Sequence, residues 1–119
     1  MMNRIAFEKY VEHIYECKAD YPWERYPDYA VYRHRHNRKW FAVVVDIPKS
    51  KLGLDLSEKI AVVNLKCDPI LLGSLLGQKG FFPAYHMNKT NWLTVALDGS
   101  VEKDKIEWLL EMSYNLTNN

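Results

Sequence analysis

Near the start of the chain apolar residues recur at helical spacing, at Phe7, Tyr10, Val11 and Ile14, with Cys17 or Lys18 continuing the row. Glu8, Glu12 and Glu16 fall on the other side. The pattern predicts a helix over residues 4–18 with one apolar face. It should end near Asp20, because Pro22 pushes Tyr21 out of the helical region. "YPWERYPDY", Tyr21 to Tyr29, is then a loop with two prolines and four aromatic residues. Residues 29–36 and 39–47 read as a β-hairpin. "KWFAVVVDI" is dense in β-branched and aromatic residues, as a strand buried on both faces would be. Asn37-Arg38 is expected at the centre of a two-residue turn, since Asn tolerates positive φ.

Pro48 stops the second strand. "KSKLGLDLSE" connects onward, with a short extended piece at Leu52, Leu54 and Leu56, to a third strand over Lys59 to Lys66. In "DPILLGSLLGQKG" Asp68 suits an N-cap and Pro69 the first helical position. Leu71, Leu72, Leu75 and Leu76 form the buried stripe, and Gly77 or Gly80 ends the helix. Phe81 to Met87 and Asn91 to Leu97 read as two more strands. Asp98-Gly99-Ser100 turns the chain, with Ser100 as N-cap of a last helix that puts Ile106, Leu109, Leu110, Ser113 and Leu116 on one face. The closing Thr117-Asn118-Asn119 is expected to fray. The order is α-β-β-β-α-β-β-α. Short turns between neighbouring strands imply an antiparallel five-stranded sheet with the helices on one face, an α+β two-layer sandwich.

Length and composition narrow this picture little. The chain has 119 residues, expected as a single domain over 1–119, with 48% hydrophobic and 26% charged residues. No apolar run is long enough to span a membrane, and the N-terminus lacks the apolar run of a signal peptide. Cys17 and Cys67 are therefore expected as reduced thiols in the cytoplasm. The net charge is +1, so binding to nucleic acid would need a local basic patch.

"YRHRHNRKW" supplies one. Arg33, Arg35, Arg38 and Lys39 surround His34 and His36, between Tyr32 and Trp40. Alternation places Arg33 and Arg35 on one face, and a β-ribbon of this kind can set cations on phosphates. The competing reading is an edge strand guarded by charge against edge-to-edge pairing. Lys49, Lys51, Lys79 and Lys89 would extend the footprint if the sheet brought them near. Trp23, Tyr26 and Tyr29, with Tyr21, could anchor a base or a peptide, or simply fold over the core. His34 and His36 share a side but have no accompanying metal motif, so they read as a solvated pair. The glycines fit neither phosphate-loop pattern. No nucleophile with its base, and no paired carboxylates, can be picked out, so no enzyme, cofactor or metal is expected. "HMNKTNW", His86 to Trp92, reads as a structured hairpin turn with Lys89 at its tip, and His86 with Trp92 is a weaker candidate small-molecule site.

Lys66 with Asp68-Pro69, His86-Met87-Asn88-Lys89 followed by Trp92, Leu97-Asp98-Gly99 and Ser113-Tyr114 together resemble the YjbR/MmcQ family of small bacterial proteins. "KWFAVV" resembles that family's hairpin, where a Lys precedes a short strand containing Phe-Ala. The resemblance implies a secretion-chaperone-like, or CyaY-like, fold. It also implies DNA binding through hairpins acting as wings, with no catalytic residue or cofactor, and one branch of the family is associated with mitomycin resistance loci. The chain departs from the family at His36-Asn37-Arg38-Lys39, where a Gly-containing turn is usual. The resulting expectation is a non-enzymatic protein that contacts double-stranded DNA through Arg33, Arg35, Arg38, Lys39 and Lys89. The alternative is a protein-binding adaptor anchored by Trp23, Tyr26 and Tyr29 or the sheet face, as a monomer or homodimer.

Overall fold

A computed structural model describes residues 2–54 and 56–119. Its elements are α1 (Arg4–Ile14), β1 (Ala30–Arg33), β2 (Trp40–Pro48), a 3-10 turn (Lys49–Leu52), β3 (Lys59–Lys66), α2 (Pro69–Leu75), β4 (Phe81–Pro83), β5 (Trp92–Ala96) and α3 (Lys103–Leu116). The five strands form one sheet in the order β1-β2-β3-β5-β4, with every pair antiparallel. This is the α+β architecture the pattern predicts. No helix among the described residues is long and apolar enough to cross a membrane.

The sheet is buried on both faces, for different reasons. Phe7 and Val11 of α1, Leu72 and Leu75 of α2, and Ile106, Leu109 and Leu110 of α3 pack on one face against Val44, Val63, Leu65, Leu93 and Val95. The other face presents Val31, Val43, Val45, Ile47, Ile60 and Val62, and no α-helix of the described residues covers it. Trp23, Tyr29, Phe82 and Tyr85, from loops and from β4, close it instead. β2 is consequently apolar along nearly its whole length.

Local chemistry explains the boundaries. Asn3 caps α1 by accepting from the Ala6 amide at 2.8 Å. That helix stops at Ile14, short of the expected 18, because Glu16 takes a left-handed φ of 50°. Pro22 has no part in the stop. Asp68 caps α2 by accepting from Ile70 and Leu71, and Gly77, at φ 95°, follows its last turn. Ser100 does not cap α3. Its amide donates to Asp98 in a tight turn, and the helix begins at Lys103 with no side-chain cap. The segment after Pro48 opens as a 3-10 turn, not an extended piece, and Asp55 within it lies outside the described residues.

One irregularity decides which side chains face which layer. Tyr32 pairs with Ala42 but Arg33 pairs with Trp40, so Phe41 is an extra residue in β2, a bulge. Ala42 and Phe41 both turn toward the helices, and Trp40 emerges on the helix-free face.

Candidate nucleic-acid interface

Antiparallel topology brings both candidate hairpins to one end of the sheet. β2 starts there, β3 ends there and β5 starts there, as the pairing of Lys66 with Trp92 shows. The β1–β2 turn and the β4–β5 loop therefore project from the same edge, separated by β3, or about 10 Å at ordinary strand spacing. Lys89 lies on the second projection. Lys49, Lys51 and Lys79 lie at the opposite end, where Lys49 is paired with Glu58 at 2.7 Å, so they extend nothing.

The first turn is a four-residue loop, Arg35 to Arg38, and not the expected two-residue turn. The His34 amide donates to Lys39 and the Arg38 amide to His34, at 2.9 and 3.0 Å. Arg38, not Asn37, adopts positive φ, at 63°. Asn37 is occupied otherwise: its side chain accepts from the Lys39 amide and donates to the carbonyls of Thr117 and Asn119, each at 2.9 Å. Lys39 Nζ donates to Asn119 Oδ1 at 2.8 Å. The tail predicted to fray is thus tied to the basic turn.

The charges of the turn are not equivalent. Arg33 is paired with Asp20 at 2.8 Å and lies over the Trp40 ring at 5.6 Å, so it is committed within the molecule. Arg38 reaches the same carboxylate only at 3.6 Å and stays exposed. Arg35 sits in the turn, not on a strand face with Arg33, and has no ion-pair partner among the described residues. Asp20 also forms a backbone bridge with Val31, exchanging both hydrogen bonds at 2.8 Å, which covers the free edge of β1. Edge protection therefore falls to Asp20, leaving the turn's cations free of that duty.

Ser113 shapes the surface between the two projections. Its Oγ donates to the Phe41 carbonyl at 2.6 Å and accepts from the Lys66 amide at 2.8 Å. Phe41 and Lys66 would face each other directly if the β2–β3 ladder continued past Val43 and Asn64, where it ends. The hydroxyl stands in for the missing ladder bond and holds the strands apart. A shallow depression of about 330 Å³ opens on this end, lined by Arg38, Lys39, Trp40, Lys66, Trp92 and Thr117, with no carboxylate among them. Lys66 and Trp92 carry the family resemblance. Only the three-dimensional pairing shows that they join the basic turn.

His34 is not solvated. It is buried, with Nε2 at 2.7 Å from Thr117 Oγ1 and its ring packed on Phe41 and Tyr114. Thr117 donates onward to Ser113, so Nε2 carries the proton, and Nδ1 is buried with no partner. Burial, reinforced by His36 and Lys39, lowers its pKa below the usual 6.5. The unfolded chain therefore takes up the proton first as pH falls, and the folded state loses stability below about pH 6.5. Thermal melts from pH 8 to 5 should show a falling limb there that His34→Gln flattens.

The aromatic loop is built on three-residue spacing. The Tyr26 amide donates to Trp23 and the Tyr29 amide to Tyr26, giving two successive turns. Trp23, Tyr26 and Tyr29 gather on one side as a result: Tyr26 stacks on Tyr29 at 4.7 Å, and Trp23 meets Tyr29 and Trp40 edge-on at 6.1 and 5.6 Å. Arg4 of α1 fastens the loop by donating to the Asp28 carbonyl. Opposite lies the β4–β5 loop. It leaves strand geometry at Ala84, earlier than the expected Met87, because the Tyr85 amide donates to the Thr94 side chain. The buried Asn64 bonds Thr94 and donates to the Tyr85 carbonyl at 2.9 Å. Between the loops is a cleft of about 240 Å³ floored by Val43 and Val45. His86 lines this cleft, whereas Trp92 lies in the basic depression, so the two do not form one site.

Neither thiol is an activated nucleophile. Burial pushes Cys17 up to about 11 and raises Cys67 as well.

The YjbR family model matches residues 13–116. The chain is 38% identical over 117 residues to the uncharacterized protein YyaQ of Bacillus subtilis, covering 98% of this chain and 99% of that one. It is 40% identical over 58 residues to the uncharacterized protein YjbR of Escherichia coli K12, about half of each chain. A crystal structure from Pseudomonas syringae superposes with a TM-score of 0.95 at 46% identity, covering 98% of this chain and 99% of that one. A Deinococcus radiodurans crystal structure at 22% identity shares the fold, with a TM-score of 0.75 over 100% of this chain and 80% of that one.

Proposed function

We propose that this chain, which belongs to the YjbR family, is a cytoplasmic, non-enzymatic DNA-binding protein that grips the phosphate backbone with one end of its sheet. A single observation carries the reading. Two projections leave the same sheet end, and between the first of them and the start of β5 a depression gathers Arg38, Lys39 and Lys66 with no carboxylate among its lining residues, Asp20 reaching Arg38 at 3.6 Å from outside it. Arg35 and Lys89 lie on the two projections outside the depression, Arg35 in a neighbouring groove that also holds Glu16 and Asp20. Arg33 is withdrawn from the expected contacts because Asp20 holds it, and Lys66 replaces it. Cations spaced along a rigid edge, with indoles between them, suit a polyanion whose charges repeat at regular intervals.

Five phosphate contacts correspond to log K falling against log salt with a slope of about −4.5. Fluorescence anisotropy on a labelled duplex at several salt concentrations measures it. The triple variant Arg38→Ala/Lys39→Ala/Lys66→Ala should flatten the slope by about 2.7. Absence of binding at low salt, or an unchanged slope in the variant, rejects the proposal.

A protein-binding adaptor has less support. Trp23 and Tyr29 help close the helix-free face of the sheet, and of the three proposed anchors only Tyr26 is exposed.

A further inference from the structure

The cleft between the aromatic loop and the β4–β5 loop has no part in gripping phosphates, and its chemistry is different. Its walls are Trp23, Tyr26, Tyr29, Trp40, Tyr85 and His86, and no carboxylate, Lys or Arg lines it. We propose that this cleft stacks one uncharged planar aromatic ring, and that the ring is an unpaired nucleobase of a strand whose phosphates lie on the neighbouring cations. The second half rests on the reading under Proposed function.

Four observations carry it. The volume of about 240 Å³ lies below the ~300–1,000 Å³ of pockets for drug-sized ligands, so it suits a single ring system. The lining offers aromatic faces and no carboxylate, Lys or Arg to pair, which selects a flat aromatic group over an ion. The walls are set in advance: the Tyr85 backbone is fixed by Asn64 and Thr94, and the His86 ring stacks on the Tyr85 ring at 3.9 Å with its backbone in the left-handed region at φ 56°. Backbone strain of this kind collects where a site is pre-shaped. Finally, Trp40 belongs to both the cleft and the cation-lined depression. A strand lying on Arg38, Lys39 and Lys66 passes that indole, and a base turned inward from it meets the aromatic walls. A base held in a duplex cannot enter, so the strand is single or its base is extruded.

Adenosine, which has the ring without a phosphate, tests the cleft alone. In two-dimensional NMR the indole N–H signals of Trp23 and Trp40 should shift at millimolar adenosine, while that of Trp108, exposed on α3, stays in place. Tyr26→Ala should weaken the effect about tenfold and Tyr26→Phe should keep it. Tyr26 is 43% exposed, so its removal leaves the core filled. The strand is tested with an oligothymidylate octamer against an abasic octamer at equal salt. The base-bearing strand should bind about tenfold tighter, and Tyr26→Ala should erase that preference with the salt slope unchanged. No shift at Trp23 and Trp40, or an equal shift at Trp108, overturns the stacking site. Shifts without a preference for the base-bearing strand overturn the assignment to a strand. If neither octamer binds at low salt, the strand assignment fails while the duplex titration decides the phosphate reading separately, and shifts lost in Tyr26→Ala still support the stacking site.

Discussion

Replacing Phe41 by alanine is expected to destabilise the fold by about 3–5 kcal/mol, the range for emptying a buried phenylalanine site. The ring is fully buried and surrounded by other rings, with centroids of Tyr114 at 5.0 Å, His34 at 5.1 Å, Tyr15 at 5.6 Å and Tyr32 at 6.4 Å. These neighbours come from β1 and the residue that follows it, from α3 and from the segment after α1. They are stiff and held by the backbone, so they collapse poorly into the space left behind. Against a total of ~5–15 kcal/mol for a domain of ordinary stability, such a loss takes the protein close to unfolding. Urea denaturation measures it. A shift equivalent to less than about 1 kcal/mol would mean that the bulged residue is not the centre of this cluster.

The second large effect is expected from Ser113→Ala, at about 2–3 kcal/mol. Little volume is lost. The cost comes from the Phe41 carbonyl and the Lys66 amide, which share the hydroxyl and would lose it together. Leaving a buried backbone group without a partner costs about 1–3 kcal/mol. The alternative outcome is that β2 and β3 close and bond each other directly, which would restore stability and narrow the depression between Lys39 and Lys66. Urea midpoints with an unchanged m-value separate the two. A near-neutral variant would show that the strands can zip together without the hydroxyl.

Much of the fold was legible because its signals are local. The bounds of β3 agree with the expected Lys59 to Lys66, and the Asp68-Pro69 start of α2 follows from capping chemistry alone. What escaped notice depends on partners far away in sequence. Thr117 looks like the start of a frayed tail until His34, 83 residues earlier, is found bonded to it. Ser113 reads as a helix residue until its two strand partners are known. Arg33 reads as a free cation until Asp20, marked in the sequence only as a helix end, closes on it. The bulge was illegible for another reason. An all-apolar β2 has no polar residues to reveal which positions face which layer, so an extra residue leaves no trace in the pattern.

That extra residue has a consequence for comparing chains of this kind. In a strand, orientation is a matter of parity, and the bulge is a single bit that inverts everything before it. Trp40 and Phe41 are both aromatic, so sliding a gap by one position here would match ring to ring and score well. It would also send the cleft residue to the core and the core residue to the cleft. At this point in the chain, the count of residues carries more of the architecture than their identities do.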